Sequence, residues 1–293
     1  MKAYQKYISK AAVLIEALPY IQQFRGALVV VKFGGSAMED AVCAESALRD
    51  IVLMECVGMK PVVVHGGGKA ISARLKELNI ETRFVNGQRY TCKESIKVVD
   101  DVLHNQVNCQ LVRSIAKFGG QAVGLSGKDV IGAVPMKATD EAGEPADLGF
   151  VGEVDTVNVD RILAVTDRNE VPVITPLGTG ADGAVFNINA DLSACRIAEA
   201  LAARKLVFLS DVPGILADSE DESSLIKTVC LPDVDRLIAD RTITGGMVPK
   251  IRSAVDALQA GTNKVHLVDG RIQHSLLLEI FTDEGVGTQI VKT

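Results

Sequence analysis

Two apolar runs of the chain end in glycines beside a lysine. The first reads Leu28-Val29-Val30-Val31-Lys32-Phe33-Gly34-Gly35, and the second reads Pro61-Val62-Val63-Val64-His65-Gly66-Gly67-Gly68-Lys69. Glycine lets a backbone approach an anion closely, and a helix that follows offers unpaired N–H groups and the positive end of its dipole. The two runs therefore predict a pair of anion sites at one edge of a sheet, suited to phosphate chemistry.

One lysine comes just before a glycine loop, and another comes just after one. Lys32 lies at the predicted carboxyl end of a buried strand, where ligands of open α/β sheets collect. The segment Thr244-Gly245-Gly246-Met247-Val248-Pro249-Lys250 is a third glycine pair, and its proline fits a first helical turn. An average lysine is merely solvated, but a lysine at the positive end of a helix dipole needs another reason. We expect both lysines to neutralise a transferring phosphoryl group, which predicts a small-molecule kinase.

The segment Phe186-Asn187-Ile188-Asn189-Ala190-Asp191 leads into an alanine-rich helix. Asn189 or Asp191 could be an ordinary helix cap. Alternatively, Asp191 could orient the two lysines, and Asn187 could donate a hydrogen bond to a substrate. Both interpretations stay open at the level of sequence.

Further loops carry polar residues at strand ends. Leu209-Ser210-Asp211-Val212-Pro213-Gly214 suits a loop on the nucleotide side, or an ordinary Pro-Gly turn. Arg89, in Asn86-Gly87-Gln88-Arg89, could bind a carboxylate in bidentate fashion or be a surface residue. The segment Gly124–Asp129 only resembles a Walker A loop, because Ala122 stands where the first glycine is required and Asp129 where Ser or Thr is required. The nucleotide is therefore not expected to be held by a P-loop.

Strand and helix patterns alternate along the chain. This alternation predicts a three-layer α/β/α sandwich with a mainly parallel open central sheet. The predicted strands are Leu28–Phe33, Pro61–His65, Ala122–Leu125, Val130–Met136, Val171–Ile174, Lys205–Ser210 and Asn263–Leu267. The predicted helices are Asp40–Val57, Gly68–Leu78, Cys92–Phe118, Val159–Arg168, Ala190–Leu201, Leu231–Ala239 and Met247–Ala260. Ala138–Asp147 is expected to be a hairpin tip or loop, and Ala217–Ser224 an acidic loop.

An amphipathic helix is predicted before the first strand, because apolar residues recur at helical spacing between Tyr4 and Ile21. Glu16 interrupts this run, and no small-residue cleavage site follows, so it does not read as a signal peptide. No other segment reaches the roughly 18–20 apolar residues of a membrane span.

Composition bounds the class of protein. The chain has 293 residues, 47% of them hydrophobic, a net charge of −6, six scattered cysteines and no tryptophan. A basic stripe with interleaved aromatic residues is missing, which argues against a nucleic-acid partner. The cysteines form no C-x-x-C pair and read as reduced thiols of a cytoplasmic protein.

Together these motifs resemble the amino acid kinase family over essentially the whole chain. Within that family, the resemblance is to members that use ATP and Mg²⁺ to phosphorylate the γ-carboxylate of N-acetyl-L-glutamate in the second step of arginine biosynthesis. It implies the amino acid kinase fold, catalytic roles for Lys32, Asp191 and Lys250, and binding of N-acetyl-L-glutamate by Gly67, Gly68, Arg89 and Asn187. It implies nucleotide contacts at Gly34, Gly35, Ser210, Asp211 and Met247, with Mg²⁺ carried by ATP rather than by a protein cage.

The two ends of the chain resemble family members that are inhibited by L-arginine. The resemblance implies an arginine site formed by Tyr20, Lys205, His266, Glu279 and Gly285, and a homohexamer, a trimer of dimers, that is interlaced through the N-terminal helix. Some relatives also bind the PII signalling protein, which the sequence leaves undecided.

The resemblance also implies a division of one kinase domain, residues 1–293. Residues 1–24 would be the oligomerisation helix. Residues 25–185 would form an N-lobe for the acceptor and for dimerisation, and residues 186–293 a C-lobe for ATP and arginine. The alternatives are a carbamate, glutamate, aspartate or uridylate kinase of the same family, a non-catalytic arginine sensor, and a nicotinamide-dependent oxidoreductase. A sensor would be expected to have lost a catalytic lysine, and the presence of Lys32, Asp191 and Lys250 argues against it. The G-x-G-x-x-G fingerprint of the oxidoreductase is missing after both glycine-ended strands.

Overall fold

An eight-stranded, mostly parallel sheet forms the centre of the protein. The computed structural model describes residues 4–85, 87–139, 144–282 and 285–293. The strands of this sheet are β1 (Leu28–Phe33), β2 (Lys60–His65), β5 (Ala122–Leu125), β10 (Val171–Ile174), β13 (Lys205–Ser210), β14 (Thr228–Cys230), β15 (Lys264–Asp269) and β16 (Thr288–Val291). Their order is β14-β16-β15-β13-β1-β2-β10-β5, and within this sheet only the described β15–β16 pair is antiparallel.

The valine-rich strands are buried on both faces. Val29 and Val31 of β1 belong to one hydrophobic core, whereas Val30 belongs to the other. All three side chains are fully buried. Because successive side chains of a strand point to opposite faces, an uninterrupted apolar run is the pattern of a parallel sheet covered by helices on both sides. The predicted three-layer fold class is confirmed.

Helices cover both faces of the sheet. Their bounds are α1 (Gln5–Glu16), α2 (Leu18–Phe24), α3 (Ser36–Glu39), α4 (Ala41–Cys56), α5 (Gly68–Glu77), α6 (Lys93–Asp101), α7 (Cys109–Lys117), α8 (Val159–Thr166), α9 (Ala190–Ala200), α10 (Val234–Ala239), α11 (Met247–Gln259) and α12 (Ser275–Ile280). Within the described residues, no helix has the length and apolar content needed to cross a bilayer.

Short strands add three smaller sheets. Strands β6 (Ile131–Pro135), β9 (Val151–Val157), β11 (Leu177–Thr179) and β12 (Val185–Ile188) close into a small barrel, and β3 (Phe84–Val85) pairs with β4 (Gln88–Arg89). Strands β7 (Ala138–Thr139) and β8 (Pro145–Ala146) form the predicted hairpin. Its tip, residues 140–143, and Asn86 between β3 and β4 lie outside the described residues.

The structure differs from the sequence prediction in several details. Strands β4, β9, β11, β12, β14 and β16 and the helices α3 and α12 were not predicted. The predicted helix Cys92–Phe118 contains a π-helical segment, Val102–Asn108, between α6 and α7. The N-terminal helix is divided at Ala17 into α1 and α2, with Pro19 in the first turn of α2. A proline there has no N–H to give to a continuous helix, so a new helix begins instead.

Candidate active site and a second cavity

Two lysines from different elements meet one carboxylate. Lys32 Nζ, near the end of β1, lies 2.9 Å from Asp191 Oδ1, and Lys250 Nζ, on the first turn of α11, lies 3.8 Å from Asp191 Oδ2. The side chains of Lys32, Lys250 and Asp191 are 12%, 15% and 21% exposed. Two ammonium groups held this close by one carboxylate leave a net positive charge at the carboxyl end of the sheet. Such a site attracts polyanions such as phosphates.

Asp191 is available for the lysines because Asn189 caps α9. The Asn189 side chain accepts hydrogen bonds from the backbone N–H groups of Asp191, at 2.8 Å, and Leu192, at 3.3 Å. An N-cap side chain satisfies amides that the helix itself leaves unpaired. The two interpretations that the sequence left open therefore fall on different residues, the cap on Asn189 and the ion pairs on Asp191.

The two glycine loops lie against each other beside this ion triad. A Cβ added to Gly34 would stand 2.9 Å from Lys32 Nζ and 3.6 Å from the Cα of Gly66. Any side chain at position 34 would thus displace the ammonium group. Gly35 has a φ of +64°, a conformation that glycine adopts without strain. Glycine at these positions keeps the lysine and the backbone amides accessible to a ligand.

Gly67 and Gly68 open α5 at the end of the neighbouring strand. A Cβ on Gly67 would be 2.6 Å from Leu103 Cδ2, so a side chain there would push against the π-helical segment. Among the described residues, no side chain caps this helix start. Its first amides are therefore free to bind an anion. A cavity of about 420 Å³ behind the two loops is lined by Gly35, Gly67 and Gly68 together with residues of α4 and α7.

His65 fixes the second glycine loop through its two ring nitrogens. Its Nδ1 is 2.7 Å from the carbonyl oxygen of Gly66, and its Nε2 accepts a hydrogen bond from Asn108 Nδ2 at 3.1 Å. Burial lowers the pKa of His65 to about 4, despite the contact with Gly66 that favours the protonated ring. The histidine is therefore neutral at pH 7 and acts as a structural residue.

We expect His65 to make the fold sensitive to acid. In the unfolded chain its pKa returns to roughly 6.5, so between pH 6.5 and 4 only the unfolded state gains a proton. The free energy of unfolding should fall by about 2–3 kcal/mol between pH 7 and pH 4.5 on account of this group alone. Urea unfolding of the wild type and of His65→Gln at both pH values measures this difference, because carboxylate titrations are common to both proteins. An equal loss in the two proteins would contradict it.

Arg89 and Asn187 lie on either side of a buried threonine. Arg89 Nη2 donates to Ser72 Oγ at 2.7 Å and to the carbonyl oxygen of Gly68 at 3.3 Å. Asn187 Nδ2 donates to Thr91 Oγ1 at 3.3 Å, and this hydroxyl in turn donates to the carbonyl oxygen of Arg89 at 2.9 Å. Burial lowers the pKa of Arg89, and its Nη1 is buried without a partner among the described residues. A buried guanidinium nitrogen without a partner is poised to bind an anionic ligand.

Three of the predicted nucleotide residues, Ser210, Asp211 and Met247, lie on the Lys250 side of the ion triad. Ser210 Oγ, at the end of β13, accepts a hydrogen bond from Lys250 Nζ at 3.4 Å. Asp211 and Met247 line a cavity of about 380 Å³ that also includes Gly214, Thr244 and Arg271. The structure thus connects the predicted transfer site to the predicted nucleotide loop through one lysine.

A second cavity, of about 700 Å³, opens at the opposite edge of the sheet. Its lining includes all five residues of the predicted arginine site, Tyr20, Lys205, His266, Glu279 and Gly285. Lys205 begins β13, whereas Ser210 ends it near the lysines. Five steps of roughly 3.3 Å separate them, so β13 spans about 16 Å between the two sites.

Glu279 organises this second cavity. His266 Nδ1 donates to Glu279 Oε1 at 2.6 Å, and the backbone N–H groups of Val286 and Gly287 donate to Oε2 at 2.8 and 3.0 Å. Burial would raise the pKa of Glu279, but these hydrogen bonds outweigh it and hold the pKa below its usual value. Burial also lowers the pKa of Lys205 to about 8.

Some residues of these sites were not predicted from the sequence, among them Ser72, which accepts a hydrogen bond from Arg89. Thr91 bridges Asn187 and Arg89. Asn108 fixes His65 and also donates to the carbonyl oxygen of Val173 at 2.8 Å. Arg271 lines the nucleotide-side cavity. Only Asn108 had a usable signal, a polar residue on the apolar face of the predicted helix Cys92–Phe118. All of the predicted site residues are within the described part of the chain.

Comparison with known proteins identifies the family. A family model described as the amino acid kinase family matches residues 27–269. The acetylglutamate kinase of Carboxydothermus hydrogenoformans is 47% identical over 291 residues, which cover 98% of this chain and 99% of the relative. The acetylglutamate kinase of Heliobacterium modesticaldum is 46% identical over 294 residues, with the same coverage of both chains.

A solved structure supports the same conclusion. The N-acetylglutamate synthase from Neisseria gonorrhoeae, complexed with coenzyme A and N-acetyl-glutamate, superposes with a TM-score of 0.83 and 25% identity. The match covers 97% of this chain but 63% of the synthase, so this chain spans less than two thirds of that protein. The chain therefore belongs to the amino acid kinase family, and within that family to the acetylglutamate kinase group.

Proposed function

We propose that the protein transfers the γ-phosphoryl group of ATP to the γ-carboxylate of N-acetyl-L-glutamate. The observation that carries this proposal is the pair of lysines held by Asp191 at the carboxyl end of the sheet. The full-length similarity to acetylglutamate kinases supports the acceptor and a place in arginine biosynthesis.

The chemistry needs charge neutralisation rather than a base. A glutamate side-chain carboxyl group in water has a pKa of roughly 4.3, so it is already ionised at pH 7 and can attack phosphorus directly. Two anions must then approach each other, and catalysis rests on positioning and on electrostatic stabilisation of the transferring group. Lys32 and Lys250 would contact its oxygens from two sides, and the amides of Gly34 and Gly35 would donate to the same group.

The acceptor would lie between the second glycine loop and the Arg89 region. Arg89, through its unpaired Nη1, would bind the α-carboxylate of N-acetyl-L-glutamate. The amides of Gly67 and Gly68 would donate to the reacting carboxylate, and Asn187 would hydrogen-bond the acceptor from β12. This places the acceptor in the proposed N-lobe, residues 25–185, with Asn187 contributed from the start of the proposed C-lobe, residues 186–293.

ATP would occupy the cavity that Asp211 and Met247 line, with Ser210 at its inner end. Mg²⁺ suits sites that combine phosphates, waters and one or two carboxylates. In the described part of the chain, no group of three or more His, Cys, Asp or Glu side chains gathers to hold a metal. The carboxylate of Asp191 is already occupied by two lysines. We propose that the metal is carried by the ATP phosphates, where it would neutralise their charge.

An acceptor panel tests the proposed reaction. Acyl phosphate formed from ATP and N-acetyl-L-glutamate is trapped with hydroxylamine, and L-glutamate, L-aspartate and carbamate are assayed alongside. We expect hydroxamate from N-acetyl-L-glutamate at a rate at least tenfold above the other acceptors. Faster reaction with glutamate, aspartate or carbamate would move the protein to another member of the family. ATP binding without phosphorylation of any acceptor would contradict the proposed catalytic function.

We further propose that L-arginine binds in the second cavity and inhibits the reaction. Glu279 offers a carboxylate to a cationic ligand, and Lys205 offers an ammonium group to a ligand carboxylate. His266 Nε2 is buried without a partner among the described residues, so it can accept a hydrogen bond from a ligand N–H. Inhibition requires that arginine bind one conformation of the enzyme more tightly than another.

Replacing Glu279 should weaken inhibition of the enzyme by arginine. A charge-assisted hydrogen bond contributes about 1.5–3 kcal/mol, so Glu279→Gln should raise the arginine concentration for half inhibition about 10–100-fold. The measurement is the ratio of rates with and without arginine over a concentration series. Glu220→Gln, which changes an exposed carboxylate outside the cavity, is the matched control. Equal sensitivity of Glu279→Gln and Glu220→Gln would exclude this cavity as the arginine site.

The N-terminal helix supports a proposed homohexamer. Tyr7, Ile8 and Leu14 of α1 are 67%, 56% and 72% exposed, which is unusual for large apolar side chains on one helix. We propose that α1 packs against the same helix of another subunit, and sedimentation velocity measures the resulting assembly. Tyr20 of α2, the helix that follows α1, lines the second cavity. The two helices together would connect assembly to inhibition. A PII partner and a cytoplasmic location stay predictions.

A further inference from the structure

The chain beyond β15 carries an arginine whose side chain is held in place. The side chain of Asp269, which is 6% exposed, accepts four hydrogen bonds from Arg271. They come from the backbone N–H and Nε to Oδ1, both at 2.9 Å, and from Nε and Nη2 to Oδ2, at 3.2 and 2.7 Å. A planar guanidinium fixed through Nε and Nη2 can move little. Its Nη1 makes no hydrogen bond to any described residue.

The backbone around Arg271 is pinned to the transfer site. The N–H of Gly270 donates to the carbonyl oxygen of Ser210 at 2.8 Å. A Cβ on Gly270 would stand 2.4 Å from the Cβ of Ala37, in the helix that follows the Gly34-Gly35 loop. Cys43 Sγ, on α4, donates to the carbonyl oxygen of Arg271 at 3.4 Å. Arg271 is therefore set at a fixed position relative to both the first glycine loop and the end of β13.

The side chain faces the nucleotide-side cavity. Arg271 lines that cavity together with Asp211, Glu222, Thr244 and Met247. Two of these residues are carboxylates, which would repel the phosphates of a nucleotide. The hydrogen bonds with Asp269 raise the pKa of Arg271, so its cation is retained at any physiological pH. In the described lining of this cavity, Arg271 is the cation. Asp269 balances its charge, and its unpaired Nη1 is the donor that is left for a ligand.

We propose that Arg271 positions the nucleotide by binding a phosphate group that is not transferred. Lys32 and Lys250 already serve the transferring group, whereas the remaining phosphates need a donor on the nucleotide side. Arginine suits this task because its donors match phosphate oxygens in geometry and charge. The inference rests on the proposed function only in that this cavity holds a nucleotide. It does not depend on the identity of the acceptor.

Calorimetric binding of ADP and adenosine, without an acceptor, tests this inference. For Arg271→Gln we expect the Kd of ADP to rise at least tenfold and the Kd of adenosine to change less than twofold, since adenosine has no phosphate. Arg271→Lys should recover part of the ADP affinity. In steady-state assays the KM for ATP should rise by a larger factor than kcat falls. Arg236→Gln, which removes an exposed arginine that pairs with Asp233, is the control.

Other outcomes would overturn the inference. If ADP and adenosine weaken by the same factor, Arg271 acts only by shaping the cavity, and if neither weakens, it does not contact the nucleotide. Should Arg271→Gln fail to fold, as thermal unfolding would reveal, the comparison of ADP with adenosine is made on Arg271→Lys. If the wild-type protein binds ADP but phosphorylates none of the acceptors, the result contradicts the proposed reaction but not the role of Arg271.

Discussion

Replacing Lys32 by methionine is expected to lower kcat by a factor of about 10²–10³, which is the usual cost of removing one donor that stabilises charge in a transition state. The reason is geometric. Lys32 Nζ is held 2.9 Å from Asp191 Oδ1, between the first glycine loop and α9, where a transferring phosphoryl group would meet it. Methionine keeps an unbranched side chain, one atom shorter than that of lysine, and removes the charge and the donors. Lys250→Met should have an effect of similar size.

The matched control is Lys60→Met, in the adjacent strand. Lys60 begins β2 at the opposite edge of the sheet and pairs with Asp167 at 2.7 Å, so it too is a lysine in an ion pair on a central strand. We expect this variant to keep kcat within about twofold. KM values for ATP and acceptor should change little in Lys32→Met, because an interaction made mainly in the transition state affects kcat rather than binding. A fall in kcat shared by both variants would show a general loss of structure instead.

The carboxyl end of the sheet, where the two lysines meet Asp191, was largely predictable from sequence. Runs of valine that end in Lys32-Phe33-Gly34-Gly35 and in His65-Gly66-Gly67 combine two local signals, a strand buried on both faces and glycines that leave room for a ligand beside the backbone. Parallel strands place their carboxyl ends on one edge of the sheet. The convergence of motifs that are far apart in sequence can therefore be predicted without knowing any side-chain contact. The approach of Lys32, Asp191 and Lys250 follows from this topology.

Local sequence could not assign the cap of α9. Asn189 and Asp191 are both good capping residues, and the choice between them depends on the lysines that Asp191 meets. Such a choice is made by tertiary contacts, which outweigh local preferences. The same is true of Thr91. It becomes a bridge because its backbone pairs with the residues just before β9, the strand that pairs with β12.

The small barrel was missed for a different reason. Strand β9 has the sequence Val151-Gly152-Glu153-Val154-Asp155-Thr156-Val157, and glycine and acidic residues are poor strand formers. It forms because β6 and β12 pair with it on both sides. Likewise, β14 and β16 have three and four residues, which is too short for a reliable periodic pattern. The π-helical segment preserves a helical apolar pattern, so periodicity alone does not reveal it.

Replacing Asp191 by asparagine is the second change for which we expect a large effect, a fall in kcat of about 10²-fold. Asparagine keeps the shape of the side chain and the backbone N–H that Asn189 caps, but it removes the negative charge between the two ammonium groups. Lys32 and Lys250 would then repel each other and move apart, and preorganised charge stabilisation would be lost. ADP should bind as tightly as to the wild type or more tightly, because the site becomes more positive.

This opposition between binding and turnover separates a positioning role from a structural one. A merely structural Asp191 would weaken ADP binding and turnover together, and it would lower the temperature of unfolding. The double variant Asp191→Asn with Lys32→Met adds a second criterion. Residues that act as a unit are not additive, so its kcat should be close to that of Lys32→Met alone rather than the product of the two losses. Additive losses would mean that Asp191 contributes to catalysis independently of Lys32, and the single ion triad would no longer describe how this site stabilises phosphoryl transfer.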